Sequence, residues 1–253
     1  MLLNFSTHFV DQFTALNVFR YITFRTGGAM LTALIVSFVC GPYIIRLLKS
    51  YQTEGQPIRE DGPEGHILTK AGTPTMGGFM ILLALVLATL LWADLRNGYI
   101  WAALVVTVAF GLIGFFDDYA KVSLNNSKGI PGKLKLLLQM VFALAATIWI
   151  MSLTSSPLAT SLALPFFKSV LIDLGWFFVV FGILVIVGSS NAVNLTDGLD
   201  GLAIGPVMIA ASVFAIISYL VGNSIFSDYL QVHYVPGAGE LTVFCGALVG
   251  AGL

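Results

Sequence analysis

The chain has 253 residues, of which 57% are hydrophobic and 10% charged, and its mean hydropathy is +0.92. A soluble domain carries about 25% charged residues, so a water-soluble globule is excluded and a membrane protein is expected. Twelve Lys and Arg against thirteen Asp and Glu leave a formal charge of -1, which gives no basic field for a nucleic-acid backbone and excludes nucleic acid as a partner.

With so few charges, the uncharged intervals mark the spans directly, and each can be set against the ~20 helical residues that cross a ~30 Å hydrocarbon core. Residues 1 to 20 hold no basic n-region and no small-residue cleavage site, so a cleavable signal peptide is not expected. Phe5, Phe9, Phe13, Leu16 and Phe19 recur at helical spacing and predict a short amphipathic segment at the interface, with a frayed terminus as the plainer alternative. Spans one to three are Thr26 to Ile45, Ala71 to Ala93 and Asn97 to Phe116, each 20 to 23 residues long. Span four opens at Leu136 and is expected to end near Leu153, where Thr154, Ser155, Ser156 and Pro157 begin a loop. Leu174 to Thr196 gives a fifth, and the sixth starts at Gly201 and is expected to end near Val221, ahead of Gly222 and Asn223. Glu240 opens a seventh with 13 residues after it, about 20 Å of helix and short of the core thickness.

The expected fold is therefore all-α and polytopic: a helical bundle with six complete transmembrane helices plus the start of a seventh. Residues 1–253 form a single transmembrane domain, read as the N-terminal part of a longer chain. Long continuous apolar runs exclude the two-residue alternation of a membrane barrel. Cys40 and Cys245 sit in apolar runs and read as small buried hydrophobes, and His8, His66 and His233 form no paired-ligand spacing.

Lys and Arg near span ends set the orientation. One face collects Arg46, Lys49, Arg59, Lys70, Lys121, Lys128, Lys133 and Lys135, eight in all, while Arg20, Arg25, Arg96 and Lys168 make four on the other. The N-terminus is thus expected outside, and the connections after spans one, three and five inside. The three most polar stretches, KAGTPTMGG at 70–78, FFDDY at 115–119 and NAVNLTDGLDGLA at 191–203, then all fall on the cytoplasmic membrane face and converge on one interfacial site.

Asp117 and Asp118 close an apolar span, and acids at that depth must be hydrated, paired or bound to a cation. A solvated helix end is one reading. A hard-cation site is the other, since Mg²⁺ takes oxygen ligands and commonly joins one or two carboxylates to substrate phosphates. Asn194, Asp197 and Asp200 or Gly201 recur every three positions along one helical stripe, and Gly198 and Gly201 leave room for close approach. Ordinary N-capping would explain one of those acids but not the set. Lys70 snorkels on the plain reading, and beside four aspartates it also suits a phosphate. Carboxylates, a divalent cation and a lysine above apolar helices fit a substrate that is half phosphate and half lipid.

Lys70 with Gly72-Thr73-Pro74-Thr75-Met76-Gly77-Gly78, then Phe116-Asp117-Asp118-Tyr119, then the run Asn191 to Ala203 closely resemble the phospho-N-acetylmuramoyl-pentapeptide transferases, a branch of the polyprenyl-phosphate N-acetylhexosamine-1-phosphate transferases. The resemblance covers roughly residues 15 to 253. It implies an enzyme that moves phospho-MurNAc-pentapeptide from UDP-MurNAc-pentapeptide to undecaprenyl phosphate, forming lipid I and UMP with Mg²⁺ at the bacterial inner membrane, in peptidoglycan synthesis. It also implies ten transmembrane helices and a homodimer. By the same resemblance Asp117 and Asp118 are the catalytic acidic pair, with Asp117 at the lipid phosphate and both as metal ligands, while the family's further Mg²⁺-binding aspartate falls beyond residue 253. Lys70, Thr75, Asn194, Asp197, Gly198, Leu199 and Asp200 then line the nucleotide pocket. Two other readings compete. A GlcNAc-1-phosphate transferase would share the acidic pair, and a lipid or solute transporter would also place charges in broken helices but release no UMP.

Overall fold

The computed structural model describes residues 1–52, 76–123, 129–155, 157–164, 167, 170–197 and 201–253. Helix α1 (Leu2–Phe9) and a 3-10 segment (Thr14–Arg20) precede α2 (Ile22–Tyr51), α3 (Gly78–Trp92), α4 (Gly98–Ser123) and α5 (Gly132–Leu153). A small hairpin of β1 (Ser161–Ala163) and β2 (Leu171–Asp173) follows, then α6 (Phe177–Thr196), α7 (Ile204–Val221), α8 (Ser224–Leu230) and α9 (Leu241–Gly252). Five of these helices, α2, α4, α5, α6 and α7, are long and apolar enough to cross a bilayer, so the chain is an all-α, multi-pass membrane protein.

Several helix ends fall where the sequence puts them. Helix α5 stops at Leu153 and α7 at Val221, where loop-forming residues and Gly222 take over. The loop after α5 carries the hairpin, paired Ser161 to Asp173 and Ala163 to Leu171, which the apolar pattern does not announce because each strand is only three residues long. Span two is seen as the 15-residue α3, with its first positions, 71–75, outside the described residues.

The larger difference lies at the charged ends. Helix α4 continues past Phe116 to Ser123, and α5 already begins at Gly132. A charge ends an apolar run without ending a helix, because backbone hydrogen bonding is indifferent to side-chain charge so long as the charge finds a partner. Asp117, Asp118, Lys121, Lys133 and Lys135 are therefore helical residues.

Contacts fix the directions of the helices. The start of α2 meets the end of α3 through Arg25 and the Trp92 carbonyl. Tyr99 at the start of α4 bonds Thr154 after α5, and Gln139 early in α5 bonds Asn191 late in α6. The end of α7 at Gly222 abuts Gly239, just ahead of α9. These pairings make α3, α4, α5 and α6 alternate in direction, and Gly246 against Thr26 with Gly250 against Met30 makes α2 and α9 parallel. The starts of α3 and α5 and the ends of α2, α4 and α6 thus share one end of the bundle.

The core sits where α9 packs between α2, α3 and α7 and is built from small side chains, among them Ala29, Ala33, Ala84, Ala88, Ala247 and Ala251. Small residues let backbones approach, the usual basis of helix association in lipid. Gly246 and Gly250, four apart on α9, show how close: a Cβ at Gly250 would strike the Met30 carbonyl, and one at Gly246 would lie 3.1 Å from the Thr26 carbonyl oxygen. The far faces of α6 and α7 carry exposed Leu184, Ile209, Phe214 and Ile216, the apolar exterior that lipid solvates.

Opposite the acidic end, Arg25 forms a bidentate pair with Glu240, both bonds 2.6 Å long, while the Asp94 amide donates to Glu240 Oε2 at 3.0 Å. Arg25 is only 2% exposed. This clasp joins α2, the α3–α4 turn and the start of α9. Helix α1 docks beside it, its terminal ammonium donating to the Leu90 carbonyl at 3.2 Å, with Phe5 and Phe13 left exposed as an interfacial segment requires.

Candidate active site

Asp117 stands in the last two turns of α4 and is 8% exposed. Lys121, four residues on, reaches back to its Oδ2 at 2.8 Å and to Asp118 Oδ1 at 3.1 Å, the spacing at which helical side chains meet. A second cation arrives from α5, where Lys135 Nζ lies 3.6 Å from Asp117 Oδ2. The other Asp117 oxygen accepts the Ile130 backbone N–H at 2.9 Å.

The turn before α5 is shaped for that last bond. Gly129 has φ +58°, a left-handed conformation that favours glycine, and a Cβ there would run into the Asp117 carboxylate and the Lys121 side chain. Pro131 then sets the backbone for the first turn of α5. Glycine allows the chain to fold back onto the acid, and the next two residues launch the helix that brings Lys135.

Aromatic rings tie the glycine stretch ahead of α3 to this place. Phe79 packs on Phe115 with centroids 6.3 Å apart, and Phe115 stacks on Tyr119 at 6.4 Å. Met76, just before Gly77-Gly78, has φ 73°, a conformation that costs a non-glycine residue about 1–3 kcal/mol and gathers at functional sites.

On α6, Asn191 donates to Gln139 Oε1 at 2.8 Å and to the Val187 carbonyl at 2.9 Å. Asn194 and Asp197 follow at the exposed end of the helix. They stand at the C-terminus of α6, not at a helix start, so N-capping does not account for them. The helix dipole disfavours a carboxylate there, and Asp197 needs another reason. Helix α6 ends at Thr196 with Asp197 as its C-cap, so the described part of the expected stripe is Asn194 and Asp197, and Asp200 lies outside the described residues.

The structure thus brings Asp117, Asp118, Asn194 and Asp197 to one membrane end. Lys70, Thr75, Gly198, Leu199 and Asp200 lie outside the described residues. Sequence reasoning used Lys121 and Lys135 only to orient the chain and gave Gln139 no part. Their signal was present, four residues from Asp117 in one case and four from each other in the second, but it appears only once both segments are known to be helical.

For a metal, the described residues hold no cluster of three or more His, Cys, Asp or Glu. Asp117 and Asp118 nonetheless offer hard oxygen donors of the kind Mg²⁺ shares with phosphates, and the Lys121 ammonium that touches both carboxylates shows that a positive charge fits between them. The pair suits a divalent cation completed by substrate oxygens.

Comparison with known proteins agrees. Residues 100–252 match the family profile described as glycosyl transferase family 4. The chain is 62% identical, over all 253 of its residues and 70% of the relative's length, to a phospho-N-acetylmuramoyl-pentapeptide-transferase of Granulibacter bethesdensis (strain ATCC BAA-1260 / CGDNIH1). Helices of membrane-spanning length, an acidic pair bracketed by lysines and an identity of this size lead to one conclusion: the chain belongs to glycosyl transferase family 4, among the phospho-N-acetylmuramoyl-pentapeptide transferases.

Proposed function

We propose that the protein transfers phospho-MurNAc-pentapeptide from UDP-MurNAc-pentapeptide to undecaprenyl phosphate, giving lipid I and UMP in peptidoglycan synthesis. The reading rests on one observation above all: two acids and two lysines from α4 and α5 meet at the membrane end where α6 delivers its Asn-Asp motif. The eight-to-four distribution of Lys and Arg supports that end as the cytoplasmic one, with the N-terminus on the periplasmic side of the inner membrane and the acids within reach of a soluble nucleotide donor. Family likeness supports a homodimer.

In this account an oxygen of the lipid phosphate attacks the β-phosphorus of the donor, the new pyrophosphate bond forms, and the bond to UMP breaks. Phosphoryl transfer asks for positioning and charge stabilisation. A phosphomonoester with second pKa near 6 is already mostly dianionic at neutral pH, so a proton acceptor is needed less than a cation clamp. Asp117 and Asp118 are the catalytic carboxylates. Asp117 holds Lys121 and Lys135 toward the phosphates, and Lys70 adds a third cation. Asn194, Asp197, Asp200, Gly198, Leu199 and Thr75 line the nucleotide side. Asp117 and Asp118 would hold Mg²⁺ once Lys121 turns from them to the substrate, and the ion would supply positive charge for the diphosphate.

The test is stoichiometry. The full-length protein in nanodiscs, given UDP-MurNAc-pentapeptide and a polyprenyl phosphate, is expected to release one UMP per lipid-linked product. Preference for UDP-GlcNAc as donor would move the assignment to the sister branch, and lipid or sugar movement without UMP would end the transferase reading.

A further inference from the structure

Gln139 has no role in the reaction as described, although it is 4% exposed in an apolar bundle. Helix α5 meets its two neighbours through side chains four residues apart on one face: Lys135 pairs with Asp117 of α4, and Gln139 accepts from Asn191 of α6. Asn191 uses both amide hydrogens, one on Gln139 Oε1 and one on the Val187 carbonyl of its own helix. With one amide hydrogen held by the backbone of its own helix and the other on Gln139, a turn of α6 about its axis strains or breaks the part-buried bond between the two helices. Breaking it leaves a polar group unsatisfied among apolar side chains, which native structures avoid. Residues three apart share a helical face, so the rotation held at Asn191 also sets the direction of Asn194.

We propose that Gln139 is a positioning residue of the transferase: its hydrogen bond to Asn191 fixes the rotation of α6 against α5 and thereby sets how Asn194 and Asp197 meet the nucleotide donor. The proposal rests on the transferase reading above.

The experiment uses full-length protein in nanodiscs, with Cys40 and Cys245 replaced by alanine and spin labels at Tyr119→Cys and Asn194→Cys. Gln139→Met keeps length and loses the acceptor; Gln139→Glu keeps the acceptor. The methionine variant is expected to shift or broaden the distance between the labels, and the glutamate variant to restore it. In unlabelled protein, Gln139→Met raises KM for the nucleotide donor about tenfold, the weight of one hydrogen bond, with the lipid KM unchanged and the melting temperature lowered by only a few degrees. An unaltered label distance overturns the proposal, and so does a joint rise of both KM values that tracks a lowered melting temperature. Asn191→Leu probes the same bond from α6, with the same outcomes, should the methionine variant not fold. The label distances do not depend on turnover, so an inactive parent protein would count against the transferase reading while the distances still decide on Gln139.

Discussion

Asp117 is the most constrained side chain of the site, because two N–H donors, from Lys121 and the Ile130 backbone, and a second ammonium, Lys135, converge on it from two helices and the turn between them. Its candidacy was legible in the sequence, since adjacent acids after an apolar run need an explanation wherever they occur. What was not legible was the identity of its partners, which depends on α4 outlasting its apolar stretch and on the chain returning at Gly129. That return is testable. Gly129→Ala introduces a Cβ at φ +58° against the carboxylate. The left-handed conformation alone costs about 1–2 kcal/mol, and the carboxylate must move as well. The variant is expected to lose most of its turnover while its melting temperature falls by only a few degrees, as read from UMP release and thermal unfolding of the same preparation.

Helices were the easiest feature to read, because uncharged runs of membrane length have few other interpretations. Their ends were harder. Gly and Pro clusters marked the stops at Leu153 and Val221 correctly, whereas charges misplaced the end of α4 and the start of α5. Packing between helices was not legible at all: Gly246 and Gly250 read as one small-residue pair among many until the Met30 and Thr26 carbonyls are seen against them. Gly250→Leu would force α2 and α9 apart. Overpacking of this kind costs about 1–3 kcal/mol, and thermal unfolding in detergent is expected to show it, with Gly27→Leu, where a Cβ meets nothing within 4 Å, as the neutral control.

The two ends of the bundle divide the work. One end is held rigidly by the Arg25–Glu240 clasp, which ties α2, the α3–α4 turn and α9 together; the other gathers the acids, lysines and amides. Sequence alone placed the three polar motifs on a common face through the positive-inside count, and the described parts of all three do share it. It could not pair Arg25 with Glu240, 215 residues apart in the chain. Glu240→Ala leaves a buried guanidinium without its counter-ion and is expected to cost about 3–5 kcal/mol, whereas replacing both residues by methionine is expected to recover most of that loss. A single variant as stable as the parent would show that the clasp is not what holds this end.

The central claim is that the lysine-bracketed acids of α4 perform phosphoryl transfer, and Asp117→Asn tests it most directly because it keeps the side chain's shape and removes its charge. In full-length protein, UMP release is expected to fall by at least about a hundredfold, the range seen when a group that stabilises transition-state charge is lost, while the variant remains folded and monodisperse. Near-normal UMP release from that variant would contradict the account.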